Sequence, residues 1–215
     1  MKRILIVDDH AVVRRGMIQI LEDTGDKLHL GEASDGVEAM EKIRSESWDV
    51  VLLDVAMPGR SGADVLKQIK QEYPKLPVLV LSMYPEDQYA VRLVRAGASG
   101  YMTKESAPEL LADAVRMVSV GKKYISPKVA ELLAETLAEN LNDVEGDLHA
   151  RLSDREFHVF LQIAGGKGLS DIARELSLSV KTIASYRSRI LEKLRLKTNA
   201  DLTLYASKHD LINNL

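Results

Sequence analysis

ILIVDDH at residues 4–10, VVLLDVAMP at 50–58 and VLVLSM at 78–83 decide the fold. Each opens with four uninterrupted Val, Ile or Leu residues, then turns polar at Asp8 and Asp9, at Asp54 and at Ser82. Short apolar runs with no alternation predict strands buried on both faces, as a parallel sheet requires. Weaker strands are expected at 28–33 and 99–102. Amphipathic stretches of helical length separate them, near 11–23, 36–46, 62–71, 86–96 and 107–119. In the last, Leu110, Leu111, Ala114, Val115 and Val118 keep a 3.6-residue rhythm. Five βα units imply an α/β fold, a doubly wound five-stranded parallel sheet. Right-handed crossovers then put every strand's carboxyl end on one rim.

Strands stop after residue 125. An Ala, Leu and Glu helix is expected at 127–141, then a polar, flexible stretch at 142–150. Four helices follow, near 153–164, 169–176, 180–195 and 199–208, with Ser153 and Glu156 spaced as a capping box. Charge divides the same way. Residues 1–125 carry 17 Lys+Arg and 19 Asp+Glu, residues 126–150 carry 1 and 6, and residues 151–215 carry 11 and 7. Only the last piece is basic enough to suit a polyanion, and an acidic connector stands before it. That connector is compatible with a passive spacer and with a screen over the basic piece. The boundaries expected are 1–122, 123–149 for a helical acidic linker, and 150–215 for a small all-α domain. No cysteine is present, which excludes thiolate and zinc–sulfur chemistry. No apolar run nears the ~18 residues of a spanning helix, and the N-terminus lacks an export signal, so a cytoplasmic protein with no membrane partner is expected.

The strand ends carry the chemistry. Asp8 and Asp9 follow the first strand, Asp54 ends the third, Ser82 ends the fourth and Lys104 follows the fifth. In a doubly wound sheet these positions converge on the carboxyl rim, where ligands bind. Singly, each acid reads as an ordinary cap or turn residue. Together, three crowded carboxylates call for a hard dication such as Mg²⁺, which takes oxygen ligands and keeps several waters. A carboxylate held beside Mg²⁺ and an ammonium can attack phosphorus and form an acyl phosphate.

With ILIVDDH (4–10), LLDVAMPGRSG (52–62), LVLSM (79–83) and GASGYMTKES (97–106) in order, residues 1–120 resemble the receiver domain of two-component response regulators. The resemblance implies a flavodoxin-like sheet of order 2-1-3-4-5. It implies that Asp54 is the phosphoacceptor and that Asp8, Asp9, Asp54 and the Ala56 carbonyl hold Mg²⁺. It further implies that Lys104 and Ser82 contact the phosphoryl group and that Ser82 and Tyr101 form a switch pair. Read without the family, Tyr101 is an aromatic that packs in a strand.

LSDREFHVFLQIAGGKGLSDIARELSLSVKTIASYRSRILEKLRLKT, residues 152–198, is similar throughout to the LuxR/NarL/FixJ-type helix–turn–helix. Its second helix has an apolar face of Ile183, Ile190, Leu191 and Leu194 and a basic face suited to a major groove. The resemblance places Lys181 and Thr182 near the phosphate backbone, turns Ala184, Ser185 and Ser188 to bases, and gives phosphates to Arg187, Lys193 and Lys197. The family often has basic or polar residues where Ala184 stands and His where Tyr186 stands. Readout at 184 is therefore expected to rely on a thymine methyl or on DNA shape. The implied partners are double-stranded DNA, a sensor histidine kinase and a second copy of the chain. The implied function is a phosphorylation-switched transcriptional regulator that performs its own slow phosphoryl chemistry and is no metabolic enzyme. Two other readings stand beside it. A phosphohydrolase with an aspartyl nucleophile would want a second acid two residues on, where Ala56 stands. A receiver acting through protein contacts alone leaves the basic helix unused.

Overall fold

The computed structural model describes residues 1–58, 60–83, 86–139, 148–209 and 211–212. The chain divides into two compact units, Met1–Leu133 and Ala134–Leu215.

In the first unit β1 (Lys2–Val7), β2 (Leu28–Ala33), β3 (Val50–Asp54), β4 (Val78–Ser82) and β5 (Gly100–Thr103) form one sheet of order β2-β1-β3-β4-β5. All its ladders are parallel. Every residue of β3 and β4 is buried, which is why their sequences run apolar without alternation. Helices α1 (Ala11–Glu22), α2 (Gly36–Ser45), α3 (Gly62–Glu72), α4 (Glu86–Arg95) and α5 (Ala107–Ser119) make the crossovers. Ile4, Ile6, Leu52, Leu79 and Leu81 pack in one cluster with Met17 and Leu21 of α1 and Leu111, Val115 and Val118 of α5. Alternation along the strands sends Leu5, Val51, Leu53 and Val80, all buried, to the opposite face.

Register sets the site. Val7 pairs with Leu53, so the residues that follow, Asp8 and Asp54, emerge side by side. Asp54 pairs with Leu81 and Ser82 with Thr103, which brings the ends of β4 and β5 to the same rim. Side-chain caps aim the helices that leave it. Asp35 accepts from Val37 N at 2.7 Å and Glu38 N at 2.9 Å, and Ser61 accepts from Asp64 N at 3.2 Å. Gly62 starts α3 against the strand end itself. A Cβ there would lie 1.9 Å from the Asp54 carbonyl oxygen, so only glycine lets α3 begin so close.

Tyr124 adds a pairing the strand pattern does not announce. It bridges Gly100 in parallel and donates its N–H to Ser99 O at 2.9 Å, extending the sheet beyond β5 by one residue. The expected strand at 99–102 lies one residue later. Helix α6 (Pro127–Glu139) matches the expected helix as far as 139; residues 140–147 lie outside those described.

The second unit holds a 3-10 turn (Leu148–Arg151) and helices α7 (Asp154–Ala164), α8 (Leu169–Glu175), α9 (Val180–Leu194) and α10 (Asn199–Lys208). The capping box at Ser153 and Glu156 is complete, and a second joins Thr198 to Asp201. Buried Phe157, Phe160, Ile172, Ile183, Ile190, Leu194 and Leu202 form the interior. Residues 148–150 are ordered rather than flexible, for a local reason. His149 donates its backbone N–H to the Tyr205 hydroxyl at 3.3 Å, its Nδ1 shares a hydrogen bond with the same hydroxyl at 3.2 Å, and its ring lies 6.1 Å from that of Phe157. No helix among the described residues is long and apolar enough to cross a membrane.

His158 of α7 is 4% exposed, and its side chain meets Gln162 at 3.4 Å. Burial, with the nearby charges of Arg155 and Lys167, pushes its imidazole down to about 3. The unfolded chain would take up that proton near the ordinary 6.5. Below this value the unfolded state binds more protons, so stability is full above pH ~6.5 and falls as pH drops toward about 3. Amide exchange of α7 in the full chain should show opening about 2 kcal/mol easier at pH 5 than at pH 7, beyond the intrinsic pH effect. His158→Gln should flatten that slope; a flat profile in the wild type contradicts the assignment.

Candidate functional site

Four of the five parallel strands, β1, β3, β4 and β5, bring polar residues at their carboxyl ends to one corner. Asp8, Asp54 and Ser82 are 0–1% exposed there. The Lys104 ammonium, on the loop after β5, lies 2.7 Å from Asp8 Oδ2 and 2.9 Å from Asp54 Oδ2. Its backbone is fixed by an N–H donated to Ser82 O at 2.7 Å. Asp54 Oδ1 accepts from Ala56 N at 3.2 Å. Asp8 Oδ1 accepts from His10 N at 2.8 Å, and the Arg14 guanidinium donates to Asp8 O at 2.7 Å. Asp9 is half-buried, with its Oδ1 3.0 Å from His10 Nδ1.

Three carboxylates thus face one ammonium in a water-poor corner. Burial raises the Asp54 carboxyl above the ordinary carboxylate range. Lys104 pulls it back and the Asp8 charge pushes it further up. Burial pulls the Lys104 ammonium down, but Asp54 and Asp8 more than offset this and hold it above its ordinary value.

The donor set fits a hard dication. Ligand atoms of Asp8, Asp9, His10 and Asp54 all lie within 4.8 Å of one another. Asp8 Oδ2 and Asp54 Oδ2 share the single Lys104 ammonium, and Asp9 Oδ1 faces His10 Nδ1. Oxygen donors of this kind, with negative charge in excess of the single ammonium, suit Mg²⁺ better than a soft metal.

Tyr101 is fully buried in β5, its register partner being Val80. Ser82 ends β4 and Tyr101 lies within the neighbouring β5.

On α9, Lys181, Ser185 and Ser188 are exposed and Thr182, Ala184 and Arg187 half-buried. Ser179 caps the helix and shares a hydrogen bond with Thr182 Oγ1 at 2.7 Å. Ser185 Oγ donates to Lys181 O at 3.0 Å and Ser188 Oγ to Ala184 O at 3.1 Å, so both hydroxyls fold onto the helix. Arg187 Nε donates to Asn199 Oδ1 at 2.5 Å, which tethers it to the start of α10. Lys193 Nζ lies 2.6 Å from Glu156 Oε2, in the capping box of α7. Lys193, which the family resemblance gives to phosphate, here serves a carboxylate 37 residues away. Lys197 is exposed beyond the helix end. Arg151, Arg189 and Arg195 join Lys193 and Glu192 around an open cleft of about 370 Å³. Arg151 and the first unit's His10 and Arg14 were not singled out from sequence. Their signals are weak, because an Arg or His next to a motif is common without contact.

A parallel receiver-like sheet with an acid corner, followed by a helix–turn–helix unit with a basic second helix, defines the class of a signal-receiving regulator. The chain belongs to the response regulators: residues 4–116 match the response regulator receiver domain family and residues 150–206 match the bacterial regulatory proteins, luxR family. It is 37% identical over 214 residues to the response regulator GacA of Pseudomonas viridiflava, spanning 99% of each chain. It is 35% identical over 213 residues to the response regulator UvrY of Escherichia coli, spanning 99% of this chain and 97% of that one. Among solved structures, an RcsB response regulator of Salmonella typhimurium aligns with a TM-score of 0.60 and 27% identity over 96% of this chain and 100% of that one. An RcsB–DNA complex aligns with a TM-score of 0.57 and 27% identity over 96% and 98%. The chain is thus a regulator by family and not a metabolic enzyme.

Crowded like charges carry a testable cost. In magnesium-free buffer Asp54→Asn should raise the thermal midpoint, by on the order of 1 kcal/mol of stability, because one member of an under-neutralised buried set is removed. Added Mg²⁺ should stabilise the wild type and barely move the variant. A lower midpoint for Asp54→Asn without Mg²⁺ contradicts this reading.

Proposed function

We propose that Asp54 accepts a phosphoryl group from a sensor histidine kinase or a small acyl phosphate, and that this controls DNA binding by α9. The observation that carries the proposal is Lys104, 2.7 Å from Asp8 and 2.9 Å from Asp54 at the buried rim. An Asp54 carboxylate oxygen attacks phosphorus and forms an O–P bond. The bond from phosphorus to the donor atom breaks, and the donor keeps its electron pair. Asp8, Asp9, Asp54 and the Ala56 carbonyl would hold Mg²⁺, which supplies neutralising charge for phosphoryl oxygens. The Lys104 ammonium takes one phosphoryl oxygen as a point charge and the Ser82 hydroxyl donates to another. Burial around Asp54 keeps water scarce, which makes hydrolysis of the acyl phosphate by the chain itself slow. Turning Ser82 toward the phosphoryl group biases the packing of Tyr101, a local charge event acting on a two-state element.

In this reading residues 1–122 are the receiver, 123–149 a connector and 150–215 the DNA-binding domain. Lys181, Thr182, Arg187, Lys193 and Lys197 meet phosphates, and Ala184, Ser185 and Ser188 face bases. RcsB has been solved on DNA as two dimers and with the phosphomimetic BeF₃⁻ on promoter DNA. By analogy this chain acts as a homodimer on paired half-sites, which raises affinity through effective concentration. The setting is cytoplasmic, where kinase and DNA are both reached.

Acetyl phosphate with Mg²⁺ should load acid-labile phosphate on the wild type and none on Asp54→Asn, and only the loaded wild type should gain DNA affinity. Lys181→Ala and Arg187→Ala should each reduce the slope of log K against log salt by about 1. Full phosphate uptake by Asp54→Asn, or DNA binding indifferent to loading, would overturn the proposal.

A further inference from the structure

At the opposite end of the sheet, two lysines meet without a carboxylate. Lys70, near the end of α3, is half-buried, and its Nζ donates to Leu76 O at 2.6 Å, just ahead of β4. Its stem runs along Gly97, where a Cβ would lie 3.0 Å from Lys70 Cγ. Gly97 holds φ +104, so a side chain would be strained there as well as crowded. The next residue, Ala98, gives its carbonyl to Lys123 Nζ at 2.7 Å. Adjacent residues thus meet the Lys70 stem and the Lys123 ammonium. Neither makes an ion pair with an acid among the described residues; each has only a backbone carbonyl.

Such a pair is a poor structural device, because a half-buried Lys70 lies beside the charge of exposed Lys123 with no counter-charge among the described residues. It is a good site for a small dianionic electrophile. We propose that Lys70 is an acylation site for small acyl phosphates, with Lys123 anchoring the phosphate of the reagent.

Burial first, and the Lys123 charge second, bring the Lys70 ammonium down to about 8. Near pH 7 about a tenth of it is then the free amine, against less than roughly a thousandth of an ordinary lysine. The neutral amine can keep one N–H on the Leu76 carbonyl and leave its lone pair for attack. That nitrogen attacks the acyl carbon and a C–N bond forms. The C–O bond to phosphate breaks, inorganic phosphate leaves with the electron pair, and the surplus nitrogen proton passes to solvent. The amide product retains an N–H for Leu76 O and ends the repulsion with Lys123. Lys123 precedes Tyr124, whose pairing with Gly100 starts the chain's exit toward α6. The modification therefore acts at the root of the connector.

This inference does not depend on the role of Asp54, and the test separates them. The full chain is incubated with acetyl phosphate at pH 7.5 in EDTA, which denies the rim its divalent ion, and acetyl-lysine is followed by peptide mass spectrometry. Lys70 should be acetylated on the order of tenfold faster than exposed Lys75. Lys123→Met should slow Lys70 by about the same factor and Lys123→Arg should restore it. If Lys70 reacts no faster than Lys75, or if Lys123→Met leaves its rate unchanged, the proposal is wrong.

Discussion

A buried corner in which three carboxylates answer to one ammonium is the constraint around which the first unit is organised. Placing like charges together away from water is unfavourable, and the fold supports it only through the surrounding sheet. Strands β1 and β3 pair in a register that ends them side by side, and their apolar interiors fix that register, since a one-residue slip would turn buried side chains to the wrong face. Gly62 completes the geometry by letting α3 start against the Asp54 carbonyl. The corner is therefore a crowded carboxylate site on a rigid scaffold, with oxygen donors that fit an added dication.

Around it, positioning is shared among neighbours. Arg14 ties the Asp8 backbone, with its Nε also 3.0 Å from Glu32. The Ser82 carbonyl fixes the Lys104 backbone. The second unit uses the same economy of paired roles. Glu156 closes a helix cap, and the Lys193 ammonium with the cap hydrogen bonds keeps its carboxyl below the ordinary range despite burial. Arg187 is held by Asn199. Basic side chains on α9 are thus oriented before any polyanion arrives, which lowers the ordering cost of contact.

Much of this was legible in the residues themselves. β1, β3 and β4 are central strands, so their runs are wholly apolar; β2 lies at the edge, half-exposed, and β5 is only four residues long. Asp8, Asp54, Ser82 and Lys104 could be grouped because strand ends in a parallel sheet share a rim. The Tyr124 bridge could not, since one residue leaves no periodicity. Nor could the His149 clasp, which joins residues 56 apart through a hydroxyl. The Lys193–Glu156 pair and the reach of Arg14 depend on side-chain conformation, which spacing does not encode. Lys70 reads as an ordinary surface lysine until its neighbours in space are known.

Titration calorimetry of Mg²⁺ into the full chain tests the central constraint most directly. One dication per chain should bind, and Asp8→Asn and Asp54→Asn should each weaken it by an order of magnitude or more. Absence of binding to the wild type, or affinity unaltered in both variants, would show that the acid corner is not what the account takes it to be.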